Sequence, residues 1–451
     1  MNLTASHTRV PPLLPGDVTE VTPWRGAAQV GPAPELAYKG LLAFTFVMML
    51  APQESFPQLQ ILRPALLSAM VAIGAYTLHR FLRGEPMLVR SRELWIAAAL
   101  LWWAILTMPL SLWPGGSATL LKDLFVKALL IFWIIAQVVD TPRRLTRLTW
   151  WLTLLGVPLA FTAVKKYFSG EFIQNVAGTR IQGYEAALTA NPNDLALMLN
   201  LLLPLGIALF LHAPTLARRA MLLGIVGLMV AGIVLTFSRS GFVTLVAILA
   251  LYAYRFSREG RLSYIGALIV TMALAAPLLP PAYVDRLATI VDKEEDPTGS
   301  AQHRWADMEA AAGYVWEHPV VGAGLGQDIL ALNAVRGATW TAVHDVYLQY
   351  AVDLGLPGLF LFLLLLGSAV GSATSARRQA EARGREDIAS IAHAISVSLL
   401  AFGVAAIFYP AGYHFYFYYF AGLAVAVRQI TRRTLLPRPV IRRDEVWSAS
   451  A

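Results

Sequence analysis

The sequence predicts an all-α, polytopic membrane protein with about twelve transmembrane helices and one large loop between the ninth and tenth. Three observations predict it. Hydrophobic residues fill 57% of the 451 positions and charged residues only 14%, against roughly 25% charged in a soluble domain. The apolar residues fall in runs close to the length of about 20 that a helix needs to cross a bilayer. The basic residues, mostly Arg, gather in every second gap between those runs.

Taken in order, residues 1–36 are polar, rich in Pro and Gly, and show no cleavable signal pattern. They predict a disordered cytoplasmic tail. Apolar runs follow at 37–53, 61–82, 93–112, 117–139, 145–167, 193–213, 219–237, 240–256 and 262–281. Together they make a block of nine helices over 37–281, the first cut short by Pro52 and Pro57. A loop over 282–343 comes next, then runs at 344–370, 387–409 and 411–429, and a basic tail over 430–451.

The Arg clusters orient this array. They lie at Arg80, Arg83, Arg90 and Arg92; Arg143, Arg144 and Arg147; Arg218 and Arg219; Arg255, Arg258 and Arg261; Arg377, Arg378, Arg383 and Arg385; and in the C-terminal tail. All fall on one side, which predicts that both termini are cytoplasmic. The net charge of +8 is therefore a topology signal, and nucleic acid is not an expected partner. With no cysteine, thiol catalysis, thiolate metal sites and disulfides are excluded.

On the opposite face the gaps at 113–116, 238–239 and near 410 are very short, while 168–192 and 282–343 are long. A gap of the latter length predicts a structured, functional segment. Within it, Trp305, Met308, Ala312, Val315 and Trp316 recur at helical spacing, which predicts an amphipathic helix over Ala301–His318. That helix either lies at the membrane interface or caps the bundle. No internal repeat is evident, which weakens a transporter built from inverted halves.

Basic residues on this face run against the charge rule: Lys165, Lys166, Arg180, Arg239, Arg286, Lys293, Arg304 and Arg336. Arg239, in Leu235-Thr236-Phe237-Ser238-Arg239-Ser240-Gly241, sits between two apolar runs with almost no loop. An Arg at a membrane helix centre costs about 2.5–3.5 kcal/mol and less at the rim, so an anionic ligand or a buried carboxylate should offset it. The alternative is a snorkelling anchor. Arg180 precedes Asn191-Pro192-Asn193-Asp194, a helix-start pattern, and Arg304 opens the amphipathic segment. A guanidinium fork matches phosphate oxygens, so several such Arg residues in one pocket would suit a pyrophosphate.

His344 opens the tenth run, in Ala342-Val343-His344-Asp345-Val346. A His there serves as a helix cap or as a general base near neutral pH. The run Asp292-Lys293-Glu294-Glu295-Asp296 leads into Pro297-Thr298-Gly299-Ser300 and reads as a solvated turn rather than a metal site. A metal-free reaction is the expectation.

These motifs resemble the O-antigen ligase and polymerase superfamily. Thr236–Gly241 is similar to its Ser-Arg motif. Arg304-Trp305 with His318-Pro319-Val320-Val321-Gly322-Ala323-Gly324-Leu325-Gly326 resembles its outer-loop signature. His344-Asp345 through Gly355 and Gly358 resembles the signature at the start of the next helix, with Asp353 where a Glu is usual. The resemblance implies a membrane-embedded, glycosyltransferase C-like enzyme of the bacterial inner membrane with a periplasmic active site. It would move glycan from undecaprenyl pyrophosphate to a sugar hydroxyl of lipid A–core, with inversion and without cofactor, metal or obligate protein partner. His344 would be the catalytic base, and Arg180, Arg239 and Arg304 would bind the pyrophosphate. An O-antigen polymerase shares the donor, and the His344-Asp345 context favours the ligase. A related enzyme that glycosylates protein Ser residues would carry an extra C-terminal domain. A lipid-linked glycan transporter would need ionisable residues deep in several spans. The exceptions here are His393, read as a packed histidine, and His414, in an aromatic belt.

Overall fold

The computed structural model describes residues 31–175, 178–181, 183–184, 186, 188–189, 191–266 and 300–435. Most of the N-terminal tail, most of the ninth run, Arg286, Lys293, the 292–296 acidic run and residues 436–451 lie outside them.

Eight helices among the described residues are long and apolar enough to cross a membrane. In chain order the main elements are α1 (Glu35–Leu50), α2 (Pro64–Leu82), α3 (Arg92–Thr107), α4 (Pro114–Leu120), a π-turn (Leu121–Phe125), α5 (Val126–Val138) and α6 (Pro142–Phe168). After them come β1 (Phe172–Asn175), β2 (Gly178–Ile181), α7 (Pro192–Leu211), α8 (Leu216–Leu235) and α9 (Arg239–Arg258). The last group is α10 (Ser300–Glu317), α11 (Asp328–Arg336), α12 (Val346–Glu381), α13 (Glu386–Ala405) and α14 (Phe415–Leu435). Helices thus fall where each apolar run was expected, the ninth aside, but α1, α5 and α14 are shorter or more polar than the eight.

The chain punctuates itself with side-chain caps. Ser91, Thr141, Asn191, Thr215, Ser238 and Asp345 each accept a backbone N–H of the turn they precede, satisfying donors that a helix start leaves orphaned. Pro142 and Pro192 add a pre-set φ at the first helical position.

α7 and α13 form the centre, buried along nearly their whole length. Leu66, Leu67, Met70, Val71 and Leu78 of α2 stay exposed, as lipid-facing residues do. α1 and α2 approach closely at Gly40, where a Cβ would stand 2.7 Å from the Ala72 backbone nitrogen.

One feature departs from the expected architecture. The segment before α7 holds an antiparallel two-stranded hairpin, β1–β2, an exception to an all-α chain. The amphipathic helix exists as α10, but it packs with Asp307, Ala310, Ala311 and Tyr314, while Trp305 and Trp316 face outward. Capping and interfacial placement are therefore compatible: one face covers the bundle and the other presents tryptophans.

Candidate active site

α12 is broken. Gly355 has φ +67° and ψ −177°, outside the helical region, and Pro357 follows it. Only glycine takes that conformation readily, and a Cβ there would collide with the Val320 carbonyl. The break frees backbone groups that must be re-satisfied. The glycine-rich loop His318–Gly326 supplies the partners. Ala323 N–H donates to Val352 O at 2.7 Å, Gly324 N–H to Asp353 O at 2.8 Å, and Leu356 N–H to Pro319 O at 2.7 Å. Trp103 Nε1 donates to Leu354 O at 2.8 Å.

Asp353 locks this clasp. Its buried carboxylate accepts from Gly326 and Gln327 N–H, at 2.9 Å each, and from Tyr413 Oη at 2.9 Å. Sequence reasoning gave Asp353 no role, because its partners come from a loop and a helix distant along the chain.

The clasp fixes the start of α12, and with it His344. On one side Val343 N–H donates to Asp328 Oδ2 at 3.0 Å; on the other, Asp345 caps α12 by accepting from Leu348 N–H at 2.9 Å. The capping role therefore belongs to Asp345, leaving His344 without it. The imidazole Nδ1 is buried with no well-formed hydrogen bond. Burial holds the His344 pKa below the usual imidazole range, with the positive fields of Arg304 and Arg336 adding to it and the Ala342 carbonyl opposing it. Arg304, on α10, thus lies within electrostatic reach of His344. So does Arg336, on α11, which pairs with Asp307 and donates to Thr341 O at 2.7 Å.

Arg239 occupies the first position of α9, set there by a tight reversal in which Phe237 adopts φ +55°. Ser238 caps the helix and donates to Asn193 Oδ1 at 2.8 Å. Gly241 lets α7 approach: a Cβ there would lie 2.6 Å from Ala196 Cβ, and Asn200 Nδ2 donates to Gly241 O at 3.0 Å. Arg180 lies on β2, paired with Ile173. The neighbouring Ile181 packs on Phe237, docking the hairpin against the α8–α9 turn.

The four residues singled out from the sequence therefore form two groups, Arg304 beside His344 and the Arg180 strand beside the Arg239 turn. Both groups sit at one end of the bundle. Tyr347, the second residue of α12, donates to Gly403 O at 2.7 Å, and the same end of α13 contributes Ala405 to a shallow cleft. Asn193, Leu197, Ser240, Gly241, Thr244 and Tyr409 line the rest of it. Among the described residues no three His, Asp or Glu side chains gather as metal ligands.

Fold and site together define a polytopic helical membrane protein with arginines and a histidine at one end of its bundle. Residues 224–363 match the family model described as O-antigen ligase, which supports a protein of the O-antigen ligase and polymerase family. The match contains Arg239, Arg304 and His344 and leaves out Arg180. Members of that family are glycosyltransferase-like enzymes acting on lipid-linked glycans in a membrane. No curated protein matches the chain.

Proposed function

We propose that this protein is an O-antigen ligase with its active site on the periplasmic face of the bacterial inner membrane and both termini in the cytoplasm. It moves glycan from undecaprenyl pyrophosphate to a sugar hydroxyl of lipid A–core, without a metal. The observation that carries this reading is His344: an imidazole held at the start of α12 by its neighbours, within the electrostatic reach of Arg304 and Arg336 and inside the segment that matches the family.

In the proposed reaction His344 removes the proton from the acceptor hydroxyl as its oxygen attacks the anomeric carbon. The bond from that carbon to the pyrophosphate oxygen breaks on the opposite side, so the centre inverts. Arg180, Arg239 and Arg304 neutralise the charge that develops on the departing pyrophosphate. The outward tryptophans of α10 suit contact with the lipid parts of the substrates, as tryptophan does at a membrane interface.

Reconstitution in liposomes with a pyrophosphate-linked glycan and purified lipid A–core, in EDTA, tests the proposal. A shift of the core to a higher band without lengthening of the donor supports the ligase. A ladder on the carrier with unmodified core makes the protein a polymerase. Glycan that only changes sides, with no transfer, removes the enzyme reading.

A further inference from the structure

A second cluster of basic side chains lies at the end of the bundle remote from His344, outside the proposed transfer site. Arg255 stands in the last turn of α9, Arg377 near the end of α12 and His393 two turns into α13. Arg377 is 22 residues beyond the break at Gly355, about 33 Å along a helix.

The three side chains meet. Arg377 Nη1 lies 3.5 Å from His393 Nδ1, and Arg255 acts on the same imidazole electrostatically. Tyr252 packs edge-on against that ring at 5.4 Å. With Nδ1 accepting from Arg377, His393 Nε2 carries the ring proton. Arg255 and His393 are only 7% and 8% exposed. Arg255 Nη1, Arg377 Nε and His393 Nε2 are each buried with no hydrogen-bond partner.

Nearby carboxylates do not fill these donors. Glu259 accepts from Arg255 Nε at 2.6 Å and faces Arg261 at 3.4 Å, and Glu381 stands 3.6 Å from Arg377 Nε. Three arginines against two glutamates leave one positive charge uncompensated. A buried donor left unpaired costs about 1–3 kcal/mol, more when it is charged. A tetrahedral oxyanion offers several acceptors in a small volume and binds guanidinium strongly.

We propose that Arg255, Arg377 and His393 form a phosphate-binding site at this end of the bundle. Its ligand is a headgroup phosphate of an anionic lipid or a free phosphate ion.

The test is native mass spectrometry of the intact protein in detergent with phosphatidylglycerol or phosphatidylcholine, together with thermal melts in inorganic phosphate or chloride at equal ionic strength. Arg377→Gln is the principal variant because its side chain is 26% exposed and tolerates change. The wild type should hold phosphatidylglycerol about 10-fold more tightly than the variant, the loss expected for one charge-assisted contact. A phosphate-dependent rise in Tm that the variant lacks, with no preference for the anionic lipid, also supports the site and makes its ligand the free ion. Equal lipid retention and equal melts in two monodisperse proteins overturn the proposal and leave the donors to water. If Arg377→Gln aggregates, Arg377→Lys, which keeps the charge but loses the fork, decides by the same comparison. None of these readouts depends on glycan transfer.

Discussion

At the residue scale, His344 is positioned by its neighbours rather than by its own ring. Asp328 holds the N–H before it and Asp345 caps the helix after it, so the imidazole is not needed for folding. His344→Ala should therefore abolish transfer while the purified protein keeps its melting temperature within a few degrees. Retained activity in a folded His344→Ala protein would remove the base assignment. The pH profile carries a sharper expectation. A base works unprotonated, and the His344 pKa lies below the usual value of about 6.5. In the free enzyme kcat/KM should thus hold across neutral pH and fall only as the pH drops below that value. Bound pyrophosphate offsets the field of Arg304 and raises the imidazole pKa, so the acid limb of kcat should lie at higher pH than that of kcat/KM. Arg304→Gln removes one source of depression and should move the kcat/KM limb upward while weakening donor binding. A limb that stays in place in Arg304→Gln would separate that arginine from the base.

At the scale of elements, the clasp between the glycine-rich loop and broken α12 is the device that holds the site. Gly355→Ala would force a Cβ into the Val320 carbonyl at a left-handed φ, which costs on the order of 1–3 kcal/mol for the backbone alone. The expected result is a protein with a lowered Tm in detergent and sharply reduced transfer. An unchanged melt would mean that the loop and helix are not clasped. Asp353→Ala strands two N–H groups and a phenol, each costing about 1–3 kcal/mol if left unsatisfied, and should be at least as damaging. Much of this scale was legible in the sequence. The helix start at Asn191-Pro192 was read from the sequence, and the structure shows that Thr141-Pro142 and Ser238-Arg239 carry the same local cap chemistry. The hairpin was not legible, since strands of four residues carry too little alternation to read. α11, at nine residues, is also short for a helical pattern to stand out. The sequence reading of α10 as amphipathic, with interfacial and capping placements both open, agrees with its outward Trp305 and Trp316 and its buried Ala310, Ala311 and Tyr314. A membrane offers an apolar outside where tryptophan is also at home. Asp353 and Arg336 took on meaning only once tertiary contacts brought distant partners to them.

At the scale of the whole molecule, polar chemistry is sorted to opposite ends. One end carries His344, Arg304, Arg336 and the Arg239 turn. At the other, Arg92 Nε donates to Ser368 at 2.9 Å and Arg428 to Ser372 at 3.2 Å, while Glu93 accepts from both serines. Arg255 and Arg377 belong to that same end. The arginine-rich ends therefore share contacts with one another and none of these contacts reaches the His344 end. Such sorting is what the positive-inside rule produces, because translocating an Arg cluster is disfavoured while retaining it is not. If the rule governs this chain, the His344 end faces the periplasm. The absence of native cysteine allows a direct check with single cysteines. Ala338 and Ala382 are both exposed, the first in the segment leading to His344 and the second just beyond α12. In intact spheroplasts a membrane-impermeant thiol reagent should label Ala338→Cys and leave Ala382→Cys unlabelled until the membrane is opened. The opposite pattern would turn the molecule over and place the imidazole where no lipid A–core acceptor on the periplasmic side could reach it.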